Sequence, residues 1–359
     1  MKEFKHEFVD FQTYHRNERK PDFGNILKVL DRKAPDRATL FEFFLNRGLY
    51  ENLSDMKYEE PSSMASKIRV DMKAYLNAGY DYVTVLGSDF TFQSKRKEEV
   101  AASHGSRTIS LNSAATIVDR DSFKRYEWPD PDNYDYTNLD TLSAELPDGM
   151  KFIVWGPGGV FENVIELTGY ENLCYMLSED PDLVKDIFDA VGSRFVRYYE
   201  ICGRYDSVGA LISNDDWGFN SQTLLSIKDM RKYVIPWHRK IAKAIHASGK
   251  PAILHSCGQL EHVMEDIITD IGYDGKHSYE DKITPVEEAY EKWGGRIAIL
   301  GGIDLDFVCR SSPRQVFSRS VEMLDRTMKK GSYALGSGNS IPEYVPNENY
   351  LAMISAVYE

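Results

Sequence analysis

Two side chains that could bind a metal ion lie two positions apart, directly after a short apolar run. They are His255 and Cys257, and the apolar run before them extends from Pro251 to Leu254. Because alternate residues of an extended chain point to the same side, the imidazole and the thiolate can converge on one ion. Both are ligands that Zn²⁺ accepts, so the spacing predicts a zinc site. A buried thiol beside a hydrogen-bonded histidine is the alternative interpretation.

A carboxylate at the end of the next predicted strand is expected to supply a third ligand. This residue is Glu280, in a strand that begins at Gly275. Carboxylate oxygens bind zinc, and three protein ligands leave one coordination position for substrate. The alternative is a surface carboxylate, because Glu280 opens the charged run Glu280-Asp281-Lys282.

Three aspartates that follow apolar runs are the candidate catalytic residues. Asp215 and Asp216 come after a predicted buried strand, where paired carboxylates suit proton transfer or the binding of an amine. Asp304 follows two glycines that allow the backbone to turn sharply. Two alternatives stay open: Asp216 closes a loop while only Asp215 faces the site, and Asp304 caps the helix that follows it.

Four further side chains near predicted strand ends are expected to contact substrate. They are Glu42, Trp217, Ser337 and Asn339. The last two belong to the sequence Gly336-Ser337-Gly338-Asn339-Ser340, whose backbone N–H groups could form an anion-binding nest. A turn that needs positive φ angles is the alternative use of its glycines.

Eight short runs with strand character alternate with amphipathic helical patterns. They are Ala38–Phe44, Tyr80–Gly87, Lys151–Gly156, Val208–Ser213, Pro251–His255, Gly275–Glu280, Arg296–Gly301 and Ser332–Gly336. This alternation predicts an α/β fold, a (β/α)₈ TIM barrel, in which active groups gather at the carboxyl ends of the strands. A doubly wound open sheet is the competing architecture. The chain has neither GxGxxG after its first strand nor GxxxxGK[ST] anywhere, which argues against that alternative.

One domain is predicted to cover residues 1–359, with an N-terminal helical extension over 1–35 and an insertion after the second strand over 88–150. Within the insertion, Thr108–Trp128 has the pattern of a β-hairpin.

Local signals also predict where helices begin and bend. Ile227–Ser248 reads as one long helix that is kinked or broken at Pro236. The sequences Thr284-Pro285-Val286-Glu287 and Ser312-Pro313-Arg314-Gln315 each combine a capping residue, a proline and a capping-box side chain, so each predicts a helix start.

Composition narrows the classes of function. The chain has 43 basic and 56 acidic residues and a net charge of −13, which argues against binding to nucleic acid or to an anionic membrane surface. No stretch approaches the 18 apolar residues of a membrane span, and the N-terminus is too polar for a signal peptide. The four scattered cysteines are expected to be reduced thiols in a cytoplasmic protein.

Four motifs together resemble the uroporphyrinogen decarboxylase superfamily, in the right order and over roughly residues 35–358. They are Leu254-His255-Ser256-Cys257-Gly258, Asn214-Asp215-Asp216-Trp217-Gly218, Gly301-Gly302-Ile303-Asp304 and Gly336-Ser337-Gly338-Asn339-Ser340-Ile341-Pro342. The resemblance implies a TIM barrel. It also implies one of two activities, since the superfamily includes uroporphyrinogen decarboxylases and zinc-dependent methyltransferases that work with corrinoid proteins.

The resemblance favours the methyltransferase branch. The paired arginines with which the decarboxylases grip substrate carboxylates are absent from the stretch Phe41–Arg47, where Glu42 instead brings a negative charge. The methyltransferases have His-x-Cys and a distant third cysteine, whose position falls near Asn339. Cobalamin-independent methionine synthase, a distant relative, binds zinc through His, Cys, Glu and Cys, and its glutamate has a spacing close to that of Glu280. The resemblance therefore implies His255, Cys257 and Glu280 as ligands, with Glu42 in reserve.

The expected function is that of a zinc-dependent methyltransferase. It would move a methyl group between a small substrate and a corrinoid on a separate protein, with Asp215 or Asp216 orienting or deprotonating the substrate. Decarboxylation of a tetrapyrrole in porphyrin biosynthesis is the alternative activity, and a barrel that binds a small molecule without turnover is a third. The methyl donor, the acceptor and the choice between a monomer and a homodimer stay open.

Overall fold

The computed structural model describes residues 10–15, 19–95 and 115–358, which form a barrel around seven parallel strands. The strands are β1 (Tyr82–Leu86), β2 (Lys151–Trp155), β3 (Val208–Asn214), β4 (Ala252–His255), β5 (Gly275–His277), β6 (Ala298–Leu300) and β7 (Tyr333–Ala334). They pair in chain order, each with the next, so all carboxyl ends meet at one face.

The predicted first strand, Ala38–Phe44, is reduced to a single bridge in the structure. Leu40 pairs in parallel with Leu335, and the N–H of Phe41 donates to the Leu335 carbonyl at 2.7 Å. Towards β1 the contacts come from side chains, because the hydroxyl groups of Tyr82 and Thr84 bond the carbonyls of Glu42 and Phe43. These hydroxyl bonds take the place of a backbone ladder, so the eighth strand position is occupied without a regular strand. The architecture is that of an α/β TIM barrel.

Helices form the outer layer. The α-helices of four or more residues in the described part of the chain are α1 (Phe11–His15), α2 (Gly24–Leu30), α3 (Arg47–Ser54), α4 (Met64–Ala78), α5 (Arg120–Arg125), α6 (Asn138–Thr141), α7 (Val160–Thr168), α8 (Tyr170–Glu179), α9 (Pro181–Cys202), α10 (Ile235–Ala247), α11 (Val286–Trp293), α12 (Leu305–Arg310), α13 (Pro313–Thr327) and α14 (Asn347–Ser355). No helix in the described part of the chain is long and apolar enough to cross a membrane.

The hydrophobic core fills the barrel and the layer between strands and helices. Strand residues such as Ile153, Leu211, Ile253 and Ile299 are completely buried. A parallel sheet that is covered on both faces needs apolar side chains on both faces, which is why the strands read as continuous apolar runs.

The helix signals in the sequence are confirmed in two of three cases. Ser312 and Gln315 form a capping box at the start of α13. A π-helical turn, Met230–Val234, precedes Pro236 and interrupts the predicted long helix, since proline has no N–H to donate. The prediction for Thr284 was wrong by one position, because α11 begins at Val286 with Pro285 at its N-cap.

The predicted β-hairpin in the insertion was wrong over its described part. Residues 108–114 lie outside the described residues, and the chain forms α5 from Arg120 to Arg125. The Asp119 carboxylate accepts the Ser122 N–H, and the Ser122 hydroxyl oxygen accepts the Asp119 N–H. This capping box satisfies N–H groups that a helix leaves free at its start, and it outweighs the strand tendency of the flanking residues.

Candidate metal centre

Three side chains with metal-binding atoms meet at the carboxyl face of the barrel. Asp216 follows β3, His255 ends β4, and Cys257 lies two residues further on. One ligand atom from each lies within 4.8 Å of the other two. The His255 Nε2 atom is 3.9 Å from the Cys257 Sγ atom. The predicted convergence of His255 and Cys257 is therefore present in the structure.

The third member of this cluster is Asp216, not the predicted Glu280. The Asp216 carboxylate also accepts the backbone N–H of Cys257 at 2.9 Å, which ties the loop after β3 to the loop after β4. Strand β5 ends at His277, and Ser278 has a φ of +83°. This turn ends the alternation on which the prediction for Glu280 rested, and it directs Glu280 into a pocket wall beside Lys276.

Two polar side chains contact the Cys257 sulfur. The Ser278 hydroxyl donates to Sγ at 3.3 Å, and the Asn339 amide donates to it at 3.2 Å. Asn339 thus reaches the cluster, although as a donor to a ligand atom and not as a ligand. Hydrogen bonds to sulfur favour the thiolate, which is the form that binds metals.

A buried lysine lies beside the cluster. The Lys276 ammonium donates to the carbonyls of Ser278 at 2.7 Å, Ser256 at 3.3 Å and His277 at 3.4 Å. Burial lowers the pKa of Lys276 to about 8. Three carbonyl acceptors match the three protons of an ammonium group, so Lys276 joins the loops after β4 and β5 as a cation.

Burial pushes each member of the cluster towards its neutral form. Burial, and then the charge of Asp216, raises the pKa of the Cys257 thiol well above its usual range. Burial raises the pKa of Asp216. Burial also lowers the pKa of His255, and the neighbouring His277 and Lys276 lower it further. A bound divalent cation would reverse these shifts for the thiol and the carboxylate, because it is the largest local charge.

The donor set fits zinc. Sulfur, imidazole nitrogen and carboxylate oxygen are the zinc ligands of proteins, and three of them leave an open position. Ligand atoms of a tetrahedral zinc ion place N and S roughly 3.5 Å apart. The observed separation of 3.9 Å is a few tenths of an ångström longer.

Asp215, predicted to be catalytic, serves the scaffold instead. Its carboxylate accepts the N–H groups of Phe161 and Glu162, both at 2.9 Å, at the start of α7. It also lies 2.8 Å from the His238 Nε2 atom, and both side chains are completely buried. Because successive residues of extended chain point in opposite directions, Asp215 faces α7 while Asp216 faces the cluster.

Asp304 and Trp217 are also held by structural contacts. The Asp304 carboxylate accepts the N–H groups of Phe307 and Asp281, both at 2.9 Å. Asp304 therefore caps the helix that follows it, which is the alternative interpretation of its sequence. Trp217 is completely buried, with its ring edge-on to that of His238 at 4.7 Å. Neither geometry matches the expected contact with a substrate.

Glu42 and Ser337 lie beneath the mouth, completely buried. The Ser337 N–H donates to the Glu42 carboxyl at 3.1 Å, and Ser337 Oγ lies 2.7 Å from Glu42 Oε1 and 2.8 Å from the Asn339 carbonyl. One hydroxyl proton cannot serve both acceptors, but a protonated Glu42 satisfies the arrangement by donating to Ser337. Burial accordingly raises the pKa of Glu42 to about 8.

Sequence reasoning missed Glu162 and an aromatic wall. Burial, and then the charges of Asp215 and Asp216, raises the pKa of Glu162 well above its usual range. The Phe43 ring lies 4.5 Å from the His255 ring, and Phe43 and Phe44 both pack on Trp155. The position of Glu162 at the start of a helix after β2 was the available signal. The aromatic residues read as ordinary core.

Comparison with known proteins identifies the family. The profile of the uroporphyrinogen decarboxylase family matches residues 109–359. The chain belongs to this family.

Curated proteins similar to this chain include a methyltransferase and a uroporphyrinogen decarboxylase. A methylated-thiol–coenzyme M methyltransferase of Methanosarcina mazei is 26% identical over 213 residues, which are 59% of this chain and 54% of that protein. The chain thus matches about half the length of that relative. A uroporphyrinogen decarboxylase of Anaeromyxobacter dehalogenans is 25% identical over 283 residues, 77% of each protein.

A solved structure of similar fold is a methyltransferase from Methanosarcina mazei. It superposes with a TM-score of 0.67 at 14% identity, over 93% of this chain and 97% of that protein. The similarity shows that this member of the uroporphyrinogen decarboxylase family shares the fold of that methyltransferase.

Proposed function

We propose that this protein is a zinc-dependent methyltransferase that moves a methyl group between a small substrate and a corrinoid carried by a separate protein. The observation that carries the proposal is the cluster of Asp216, His255 and Cys257, whose ligand atoms lie within 4.8 Å of one another at the barrel mouth. The similarity to a methyltransferase that acts on a methylated thiol supports the same reading.

The three cluster residues would hold the ion through Nε2 of His255, Sγ of Cys257 and a carboxylate oxygen of Asp216. When bound, Zn²⁺ would activate a substrate thiol, ether or amine at its open coordination position. Ser278 and Asn339 each donate to Cys257 Sγ, so they moderate the charge of the thiolate and hold its direction.

Other residues of the mouth would handle the substrate. Phe43, Phe44 and Trp155 form an apolar wall next to His255, against which a methyl group would pack. Burial and the charges of Asp215 and Asp216 raise the pKa of Glu162, which favours its protonated form, so it is our candidate to donate a proton to the atom that loses the methyl group.

The proposal puts the corrinoid on a second protein, and residues 1–359 contain no Asp-x-His-x-x-Gly cobalamin motif. A reducing, cytoplasmic setting agrees with the four free cysteines, Cys174, Cys202, Cys257 and Cys309.

Metal analysis of the purified full-length chain tests the proposal. About one equivalent of zinc per chain is expected for the wild type, and much less for Asp216→Asn, His255→Ala and Cys257→Ser. Glu280→Gln is the matched control, since it removes a neighbouring carboxylate outside the cluster. A wild-type protein that takes up no zinc when supplied with it would overturn the proposal. If Glu280→Gln loses zinc and Asp216→Asn keeps it, the third ligand is Glu280 and not Asp216.

Decarboxylation of uroporphyrinogen is the second candidate, favoured by the match to a decarboxylase over 77% of the chain. We expect little or no activity. The paired arginines are absent from Phe41–Arg47, and Glu42 is buried beneath Ser337 rather than available to a substrate. Turnover of uroporphyrinogen at roughly one per second or faster would reverse the order of the two candidates.

A further inference from the structure

A chain of hydrogen bonds runs from the cluster of Asp216, His255 and Cys257 into the barrel interior. The Nδ1 atoms of His255 and His277 lie 2.8 Å apart, and Nε2 of His277 lies 3.3 Å from the carbonyl oxygen of Ser337. His277 is completely buried at the end of β5. The sequence gives no sign of this role, because His277 is one polar residue in a short strand.

The Ser337 carbonyl determines where the protons of both rings lie. A carbonyl oxygen only accepts, so Nε2 of His277 carries a proton. His277 is completely buried and its hydrogen-bond partners among the described residues are His255 and the Ser337 carbonyl, with no carboxylate to stabilise a charge, so the ring is neutral and its Nδ1 is bare. The short contact between the two Nδ1 atoms then requires the proton on Nδ1 of His255. A neutral His255 is left with a bare Nε2, which is the atom 3.9 Å from Cys257 Sγ.

We propose that His277 is a positioning residue that holds His255 as the Nδ1–H tautomer and so presents its Nε2 lone pair to the metal ion. The metal half of this inference rests on the proposed function. The tautomer half rests on the two contacts and on the burial of His277. Partners of this kind, on the nitrogen of a histidine that does not bind the metal, fix the orientation and tautomer of metal-binding histidines in other proteins.

The surroundings hold the two rings in place. Phe41 packs edge-on against His277 with ring centroids 5.0 Å apart, and Phe43 packs on His255 at 4.5 Å. Gly301 has a φ of +65°, and a Cβ added there would lie 2.9 Å from His277 Nε2 and would clash with the Ser337 carbonyl. The absence of a side chain at Gly301 thus leaves room for the contact between His277 and Ser337.

Two variants separate the positioning role from simple packing. In His277→Asn, the side-chain oxygen can replace Nδ1 as the acceptor for His255. In His277→Phe, a ring of similar size offers no acceptor. Both variants lose the imidazole and its bond to Ser337, but a purely packing role would be kept better by the phenylalanine ring than by the smaller asparagine, so it predicts the opposite order of effects. The control is His246→Phe, which removes a histidine bonded to Asp274 on the outer surface, away from the cluster.

The first measurement is the tautomer of His255 in the full-length metal-free protein, from long-range ¹H–¹⁵N correlation spectra with ¹⁵N-labelled histidine. Comparison with His255→Gln assigns the signals. We expect a protonated Nδ1 and a bare Nε2 in the wild type and in His277→Asn, and a mixture of tautomers in His277→Phe. A protonated Nε2 on His255 in the wild type would overturn the inference.

The second measurement is the affinity for zinc, by competition with a chelator. His277→Phe should bind zinc about 10–100-fold more weakly than the wild type, and His277→Asn should recover most of that loss. His246→Phe should bind like the wild type. Equal affinity in His277→Phe and the wild type would overturn the metal half of the inference. A wild-type chain that binds no zinc would overturn the proposed function, and the spectra would still decide the tautomer half.

Discussion

At the scale of single residues, two adjacent aspartates point in opposite directions and make different contacts. Asp215 satisfies the start of α7 and pairs with His238, whereas Asp216 faces the candidate metal centre. The sequence predicted that both lie at a strand end. It could not assign their roles, because the direction of each side chain depends on where β3 ends. The same limit applies to Glu280, which was displaced by the positive φ of Ser278.

Asp215→Asn should destabilise the protein without removing zinc from the folded state. Three N–H groups now bond to the two carboxylate oxygens of Asp215. Asparagine has one oxygen and one NH₂ group, so at least one of these N–H groups would face another donor instead of an acceptor. We expect the free energy of unfolding to fall by about 2–4 kcal/mol in urea titrations. Asp306→Asn, at an exposed position, is the control and should unfold like the wild type. Loss of zinc without loss of stability in Asp215→Asn would place Asp215 in the metal centre after all.

Glu42 should make the protein less stable as the pH rises. Its pKa is raised from 4.5 to about 8, so the folded chain keeps a proton that the unfolded chain loses between these values. The stabilisation from this group is fully present below about pH 4.5 and is lost as the pH rises towards 8, by up to about 1.4 kcal/mol per pH unit.

Glu42→Gln tests this dependence, because glutamine resembles the protonated acid and can keep both contacts with Ser337. The free energy of unfolding, measured at several pH values between about 5 and 8, should fall less steeply with pH in the variant. Parallel curves for the variant and the wild type would show that Glu42 is ionised in the folded protein.

At the scale of elements, the loops after β4, β6 and β7 meet beneath the cluster. The strand ends were predictable, because apolar runs of the right length end at polar residues such as His255. The contacts between the loops were not, since they join residues far apart in the chain, as Asn339 does with Cys257. Gly301 is an example. The sequence Gly301-Gly302 indicated a sharp turn, but only the structure shows that a side chain at position 301 would collide with His277 and the Ser337 carbonyl.

Gly301→Ala should therefore disturb the metal centre from a distance. A methyl group there would clash with the Ser337 carbonyl and crowd His277, in addition to the cost of a positive φ. We expect loss of stability together with weaker zinc binding. Gly249→Ala is the matched control, because Gly249 has a φ of +75° and no atom within 4 Å of an added Cβ. It should lose about 1 kcal/mol and bind zinc normally. Equal effects of the two variants on zinc would contradict this account.

At the scale of the whole molecule, the barrel is closed unevenly. The segment that replaces the first strand bonds β7 through the backbone but is joined to β1 by the hydroxyl groups of Tyr82 and Thr84. The alternation of strands and helices was enough to predict the barrel. It could not reveal that one strand position lacks a regular ladder, because strand tendency in Ala38–Phe44 does not encode its partners.

Tyr82→Phe should weaken this closure. The variant removes a buried hydroxyl that donates to the Glu42 carbonyl at 2.8 Å and accepts the Glu42 N–H at 2.6 Å, and the loss of these bonds costs about 1–3 kcal/mol. Tyr333→Phe is the matched control, since the Tyr333 hydroxyl is buried without a hydrogen-bond partner among the described residues. Thermal unfolding should show a lower melting temperature for Tyr82→Phe only. A drop in Tyr333→Phe as large as in Tyr82→Phe would contradict the proposed closure.

The cluster draws all of its ligands from one strand–helix–strand unit. Asp216 and Cys257 are 41 positions apart, with His255 between them. His277 and Asn339 lie later in the chain. During synthesis, the ligands therefore leave the ribosome before the residues that orient them. A nascent chain that stops short of Asn339 can offer metals a cysteine, a histidine and an aspartate, but it lacks an amide that bonds the sulfur. If the proposed metal centre is present, its full set of contacts therefore exists only once the barrel is complete.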